Sequence, residues 1–410
     1  MLLDRALSHL REVVRVLVCL LQFRRDYRLV HQLDVSSRKP IDGMDAVNEL
    51  SVDRSTVVAR IWIKQPLSAN RASFVSAPGR AAMRILVTGG AGFIGGHLAE
   101  SFLADGHDVT VLDNLEPFYA EGIKRHTLDV HREVADAGDV EYRFVEGDVR
   151  DPEAVQELVD DTDVVVHQAA QAGVRESVDN PRKVTDINVS GTVNLLEASK
   201  KADVDRMILA SSSSVYGKPH SLPYEEAHPT EPVSPYGVTK LTQEHMARVY
   251  TELHGLSTVC LRYFTVYGPR MRPNMAISNF VSRCVNGEPP VIYGDGQQTR
   301  DFTYVADVVD ANRTLLESDA ADGDVLNIGS SDNISIQELA ETVRDQLAPE
   351  LEIEYEPARE ADAEHTHASV EKAGELIGYE PSRTIAEGVG EFIEWYQANR
   401  KWYEPLVRSS

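Results

Sequence analysis

Met83-Arg84-Ile85-Leu86-Val87-Thr88-Gly89-Gly90-Ala91-Gly92-Phe93-Ile94-Gly95 is the stretch that decides the fold of this chain. It begins as a short apolar run, as expected of a strand buried on both faces, and after Gly92 it takes on helical patterning over Phe93–Ala104. Gly89, Gly92 and Gly95 allow a tight turn and let backbone amides approach a pyrophosphate, which a helix N-terminus favours electrostatically. A lone glycine pattern is weak evidence, since glycines often merely end strands. Here a strand precedes it, a helix follows, and an acid, Asp113, ends the second strand 24 residues past Gly89. Asp113, with Asn114 beside it, is expected to accept hydrogen bonds from the adenosine ribose, and its carboxylate would repel a 2′-phosphate. Asp148, followed by Val149, ends the third strand and is expected to meet the adenine. Together these residues predict a dinucleotide site that favours NAD over NADP.

From this start the chain alternates β-rich runs and helical stretches. Strands are predicted at Arg84–Thr88, Asp108–Leu112, Tyr142–Val145, Val164–His167, Arg206–Ala210 and Ser257–Tyr263. Helices are predicted at Phe93–Ala104, Pro152–Val159, Val184–Lys200 and Tyr236–Leu253. The fold class is therefore α/β, a doubly wound parallel sheet of the Rossmann type over residues 83–264. Beyond residue 265, proline and glycine clusters replace the alternation, which predicts a smaller C-terminal substrate-binding lobe over 265–400, partly interleaved with the sheet domain.

Residues 1–82 differ in kind. They carry a net charge of +5, against −29 for residues 83–410 and −24 for the whole chain. The apolar run Val13–Leu21 is interrupted by Arg15 and falls short of the ~20 residues that span a bilayer. No small-residue cleavage site follows it. The segment is expected to be a disordered or loosely helical extension, or to reflect a start placed upstream of Met83. The acidic balance argues against nucleic acid and anionic membranes as partners. The three cysteines, Cys19, Cys260 and Cys284, are scattered without metal-ligand spacing, which points to a reducing cytoplasm and no metal site. An acid-rich surface with only ten lysines suggests adaptation to high salt, a hypothesis that full activity at low salt would refute.

Chemistry is offered by Tyr236-Gly237-Val238-Thr239-Lys240. A tyrosine four residues before a lysine shares a helix face with it. An ammonium beside a phenol favours the phenolate, so the pair can serve as a general base near neutrality. By itself the pattern fits a surface tyrosine and lysine equally well. The serine run Ser211–Ser214 follows the fifth strand, at the sheet edge where ligands of doubly wound folds sit.

With Ser212, Tyr236, Lys240 and the glycine turn in place, residues 83–397 resemble the extended short-chain dehydrogenase/reductase family. The resemblance implies that Ser212, four residues before the tyrosine of Val215-Tyr216-Gly217, is the catalytic hydroxyl. Tyr236 is then the base, and Lys240 tunes it while bonding the nicotinamide ribose. It further implies cofactor contacts at Gln168, Ala169, Ala170 and Asn188. Two segments, Gln171–Arg175 and Arg262–Ala276, are similar to those of nucleotide-sugar 4-epimerases, above all those acting on UDP-glucuronate. That likeness implies substrate contacts at Ser212, Ser213, Thr265 and Arg272, a uracil contact at Tyr293, and diphosphate contacts at Arg300 and Arg359. A homodimer is implied too. Two departures stand out: Ala358-Arg359-Glu360-Ala361-Asp362 lacks the usual Pro-Gly, and Asn274 replaces the common Asp. Related dehydratases and decarboxylases carry acids where this chain has Ser213 and Ser214, and hydroxyls cannot replace a carboxylic acid at neutral pH. The expected activity is therefore C4 inversion of a UDP-sugar, UDP-glucuronate or UDP-glucose. A lyase on the same scaffold and a non-catalytic NAD sensor are the rival readings.

Overall fold

In the computed structural model, the apolar run forms β1 (Arg84–Thr88), whose Ile85, Leu86 and Val87 are almost wholly buried. Residues 82–357 and 365–409 are described, within the compact unit Phe74–Ser410. Arg359 and the extension up to residue 81 lie outside them. Six further strands complete the central sheet: β2 (Asp108–Asp113), β3 (Tyr142–Glu146), β4 (Val164–His167), β5 (Arg206–Ser212), β6 (Thr258–Tyr263) and β7 (Val325–Ile328). They run parallel in the order β7-β6-β5-β4-β1-β2-β3. The order reverses between β1 and β4, which opens a crevice at their carboxyl ends.

Five helices flank these strands: α1 (Phe93–Ala104), α2 (Glu121–Gly138), α3 (Pro152–Val159), α4 (Gly191–Lys201) and α5 (Pro235–His254). Alternation along β1 explains the two layers. Ile85 and Val87 join one core with Leu98 and Phe102 of α1, while Leu86 joins the other with Val155 of α3 and Leu195 of α4. Start signals are read directly from the sequence. Asp151 caps α3 by accepting from the Glu153 and Ala154 amides, with Pro152 at the first helical position. Ser234 caps α5 in the same manner through the Gly237 amide, and Gly255 ends it in the left-handed conformation.

Three features depart from the expectation. The helix expected at Val184–Lys200 is Pro181–Thr185, a π-helical turn at Asp186–Ser190, and then α4. The wider turn lets Asn188 reach sideways to other segments. Helix α2 was not anticipated, although Ile123, Leu128 and Ala135 are buried along it at helical spacing. Strand β7 comes from the C-terminal segment and pairs with β6. Its short run contains Asn327, whose buried side chain is bonded to the Tyr216 hydroxyl and the Tyr224 carbonyl. The rest of the C-terminal segment forms helices at Ala276–Val285, Val305–Leu315, Ile336–Leu347 and Ile385–Arg408, with short paired strands between them.

Candidate active site

The carboxyl ends of β1, β2, β4 and β5 open into a cleft of about 800 Å³. At its floor, Gly89 has φ of +71°, and an added Cβ would lie 2.7 Å from the Ala169 nitrogen. Gly95 is equally constrained, because a Cβ there would fall on the Gly89 carbonyl. These glycines let the turn pass under Ala169 and let α1 begin against it. Helix α1 starts at Gly92 with no side-chain cap and no acid in its first turn, so its amide end and dipole are available to an anion.

The acids at the strand ends are already organised. Asp113 is buried, accepts from the Ala91 and Leu115 amides at 3.2 and 2.8 Å, and lies 3.5 Å from Lys124 Nζ. Asp148 takes two bonds from the Arg150 guanidinium and one from Asn114 Nδ2. Those bonds, Arg150's first, hold its carboxyl at about 2.

Across the cleft, β5 delivers Ser212 into a 3-10 turn, Ser213–Val215, that presents hydroxyls. Ser212 Oγ accepts from the Ser214 amide at 3.2 Å. Helix α5 brings up Tyr236, and Lys240 Nζ donates to the Ala210 carbonyl at 2.7 Å. The Lys240 nitrogen lies 5.9 Å from the centre of the Tyr236 ring. Burial lowers the Lys240 ammonium to about 8. At Tyr236 desolvation outweighs the effect expected of the nearby ammonium. Burial raises the Tyr236 phenol; a hydrogen bond from Ser212 and the charge of Arg272 work against that rise. Each group sits in the same dry wall, so desolvation opposes the charged form of both.

Arg272 is a further cation of the site. Burial lowers its pKa. Its guanidinium carbon lies 5.6 Å from the centre of the Phe118 ring, and Nη2 lies 3.9 Å from Met275 Sδ. Among the described residues no carboxylate contacts it.

Of the residues singled out in the sequence, Gly89, Gly92, Phe93, Ile94, Gly95, Asp113, Asn114, Asp148, Val149, Gln168, Ala169 and Ala170 line this one cleft. Ser212, Ser213, Tyr236, Lys240, Thr265 and Arg272 line it as well. Asn188 is not part of the lining. It sits behind the wall, buried, bonded to both backbone groups of Gln171 and to the Thr239 hydroxyl, and so ties the loop after β4 to α5. Tyr293 and Arg300 are half-buried on the short strands Val291–Tyr293 and Thr299–Arg300 and are not among the residues that line this cleft. Arg359 lies outside the described residues. Sequence reasoning overlooked Phe118, Tyr119, Lys124 and Glu116, which also line the cleft. Helical spacing could have found Lys124, since it lies on α2 with Ile123 and Leu128. The aromatic pair in the loop carried no periodic signal.

Residues 85–329 match the NAD dependent epimerase/dehydratase family. A putative UDP-glucose 4-epimerase of Methanocaldococcus jannaschii is 37% identical over 77% of this chain and 99% of its own. The UDP-glucuronate 4-epimerase of Thermodesulfobacterium geofontis is 35% identical over 77% of this chain and 96% of its own. Among solved structures, the UDP-glucuronic acid 4-epimerase of Bacillus cereus, in complex with UDP-glucuronic acid and NAD, superimposes with a TM-score of 0.72 at 33% identity. That comparison covers 77% of this chain and 99% of the other.

Proposed function

This chain belongs to the NAD dependent epimerase/dehydratase family, and we propose that it is an NAD-dependent 4-epimerase of UDP-sugars, with UDP-glucuronate the favoured substrate over UDP-glucose. One observation carries the choice: Arg272 is half-buried in the cleft wall near Tyr236 with no acid among the described residues to pair it. A guanidinium partly shielded from water and without a counter-charge favours a carboxylate that it can bond through two parallel N–H groups.

The cradle fits NAD. The glycine turn leaves no room for side chains, α1 offers an uncapped amide end, and Asp113 stands where ribose hydroxyls would arrive. NAD, when bound, supplies the reversible redox step at C4 of the sugar. The chain's own residues control position and protons. Tyr236 takes the proton of the 4-hydroxyl while Ser212 bonds the same oxygen, and Lys240 supports the charge that develops on the phenol. The resulting 4-keto sugar presents its other face, and Tyr236 returns the proton to the inverted alcohol. Ser213 and Ser214 offer hydroxyls where elimination needs acids, which favours inversion over a lyase reaction. Thr265 would assist Arg272 at the carboxylate, and Gln168, Ala169, Ala170, Val149, Asn114 and Asp148 would complete the cofactor contacts. Tyr293, Arg300 and Arg359 are proposed at the nucleotide end.

We also assign a homodimer, in which α5 meets its copy. Val238 and Leu253 on that helix, and Val178 on the helix Val174–Asp179, expose 49, 72 and 56% of their surface. Among the described residues no helix is long and apolar enough to cross a membrane, and we place the enzyme in the cytoplasm.

The test is proton NMR of the purified protein, without added NAD, against UDP-glucuronate, UDP-glucose and their N-acetylated relatives. C4 inversion of UDP-glucuronate is expected; a stable 4-keto-6-deoxy product or released carbon dioxide would establish the lyase. In the same assay Tyr236→Phe should lower turnover by ~10²–10⁴ while substrate binding persists. An unchanged rate would refute the assignment of the base.

A further inference from the structure

Between β2 and α2 the chain forms a short strap, residues 114–120, that lines the cleft with Asn114, Glu116, Phe118 and Tyr119. Its near end is fixed by turns at Asp113 and Asn114, which accept from the Leu115 and Glu116 amides at 2.8 and 3.0 Å. Its middle is fixed by an ion pair of 2.8 Å between Glu116 and Lys183. Phe118 then stands between two walls. On one side a Cβ added to Gly173 would come 3.5 Å from its ring edge. On the other lies the guanidinium of Arg272.

Arg272 has little else to hold it. The Phe118 ring and the Met275 sulfur are its close side-chain contacts among the described residues. A long, flexible side chain held by no acid keeps a defined direction only if a surface restrains it, and a ring face does so without neutralising its charge. Tyr119 lines the same cleft, and its hydroxyl is buried without a hydrogen-bond partner. Burial pushes that phenol up, so it stays neutral beside Arg272 and offers no counter-charge to the guanidinium.

We propose that Phe118 is the positioning residue for recognition of an anionic sugar: it holds the Arg272 fork toward the sugar carboxylate, and so the strap decides selectivity for UDP-glucuronate over UDP-glucose. This rests on the epimerase reading above and adds a residue from the cofactor side of the cleft to the substrate subsite. The ring touches no reacting atom, so it acts on binding and leaves the chemical step alone.

The experiment compares wild type, Phe118→Leu and Phe118→Tyr with both UDP-sugars, by steady-state kinetics and by calorimetric titration. Leucine keeps the bulk of the ring but loses its π-face. Phe118→Leu should raise Kd and KM for UDP-glucuronate by ~10-fold, about 1.4 kcal/mol. It should leave kcat within about twofold and binding of UDP-glucose unchanged. Phe118→Tyr, which retains the face, should restore wild-type values. A merely structural role would weaken both sugars alike, and that outcome overturns the proposal, as does a UDP-glucuronate Kd that Leu does not alter. If wild type itself neither binds nor turns over UDP-glucuronate, the substrate reading fails along with the proposal. If wild type does so and the Leu variant matches it, only the role of Phe118 fails.

Discussion

Glu244 lies one helical turn beyond Lys240 on α5, and its pairing with Arg262 of β6 is the best-defined energetic lever near the site. The two side chains are 4 and 5% exposed. Arg262 gives Nε and Nη2 to the two carboxylate oxygens at 2.9 and 2.8 Å, and Nη1 to the Tyr216 hydroxyl at 2.8 Å. Ser211, the neighbour of Ser212, adds its hydroxyl to the same carboxylate. The network thus fastens the helix of Tyr236 to the strands that present the serines. Glu244→Leu would leave a guanidinium buried without its counter-charge, and breaking such a pair from one side costs ~3–5 kcal/mol. With a urea m-value of ~3 kcal/mol/M, the midpoint should fall by ~1–2 M. The double variant Glu244→Leu/Arg262→Met removes both charges and should regain most of that loss, because no uncompensated ion remains. The assay is urea unfolding followed by tryptophan fluorescence for wild type, both single variants and the double. A single variant within ~1 kcal/mol of wild type, or a double no better than the worse single, would refute the reasoning.

Two further outcomes follow from the geometry. His131 and His167 are wholly buried, and burial holds them at about 4 and about 3. Both therefore stay neutral when folded, whereas in the unfolded chain they protonate near ~6.5. Their contribution is complete above pH ~6.5 and is lost as the pH falls toward their folded values, by about 2 kcal/mol each at pH 5. The urea midpoint should be lower at pH 5 than at pH 7, with a smaller difference in His131→Gln; equal midpoints at the two pH values would contradict this. Gly95→Ala places a methyl on the Gly89 carbonyl. The purified variant should carry ~10-fold less NAD, measured in the supernatant after denaturation, and a full complement of NAD would show that the turn can yield.

How far the site was legible depends on the range of the interactions. The glycine turn, Asp113 and the pair Tyr236/Lys240 are defined by spacings of a few residues, and the structure brings them to one cleft. The ends of β1, β4, α1 and α3 were readable for the same reason, since continuous apolar runs and caps such as Asp151-Pro152 act locally. Strand β7 was missed because four residues with an asparagine among them look like a loop until β6 is beside them. The family resemblance implies a cofactor contact at Asn188. Only the packing shows its amide spent on Gln171 and Thr239.

The sequence by itself thus determined the fold class, the glycine turn after β1 and the placing of Tyr236 and Lys240 on one helix face, because helix and strand periodicity and backbone sterics are short-range. The tertiary structure alone decided the electrostatics. It put Tyr236 and Lys240 in a dry wall where burial opposes both charges, and it set Arg272 against Phe118 with no acid beside it among the described residues. Desolvation depends on every atom that excludes water, and most of those atoms lie far away along the chain.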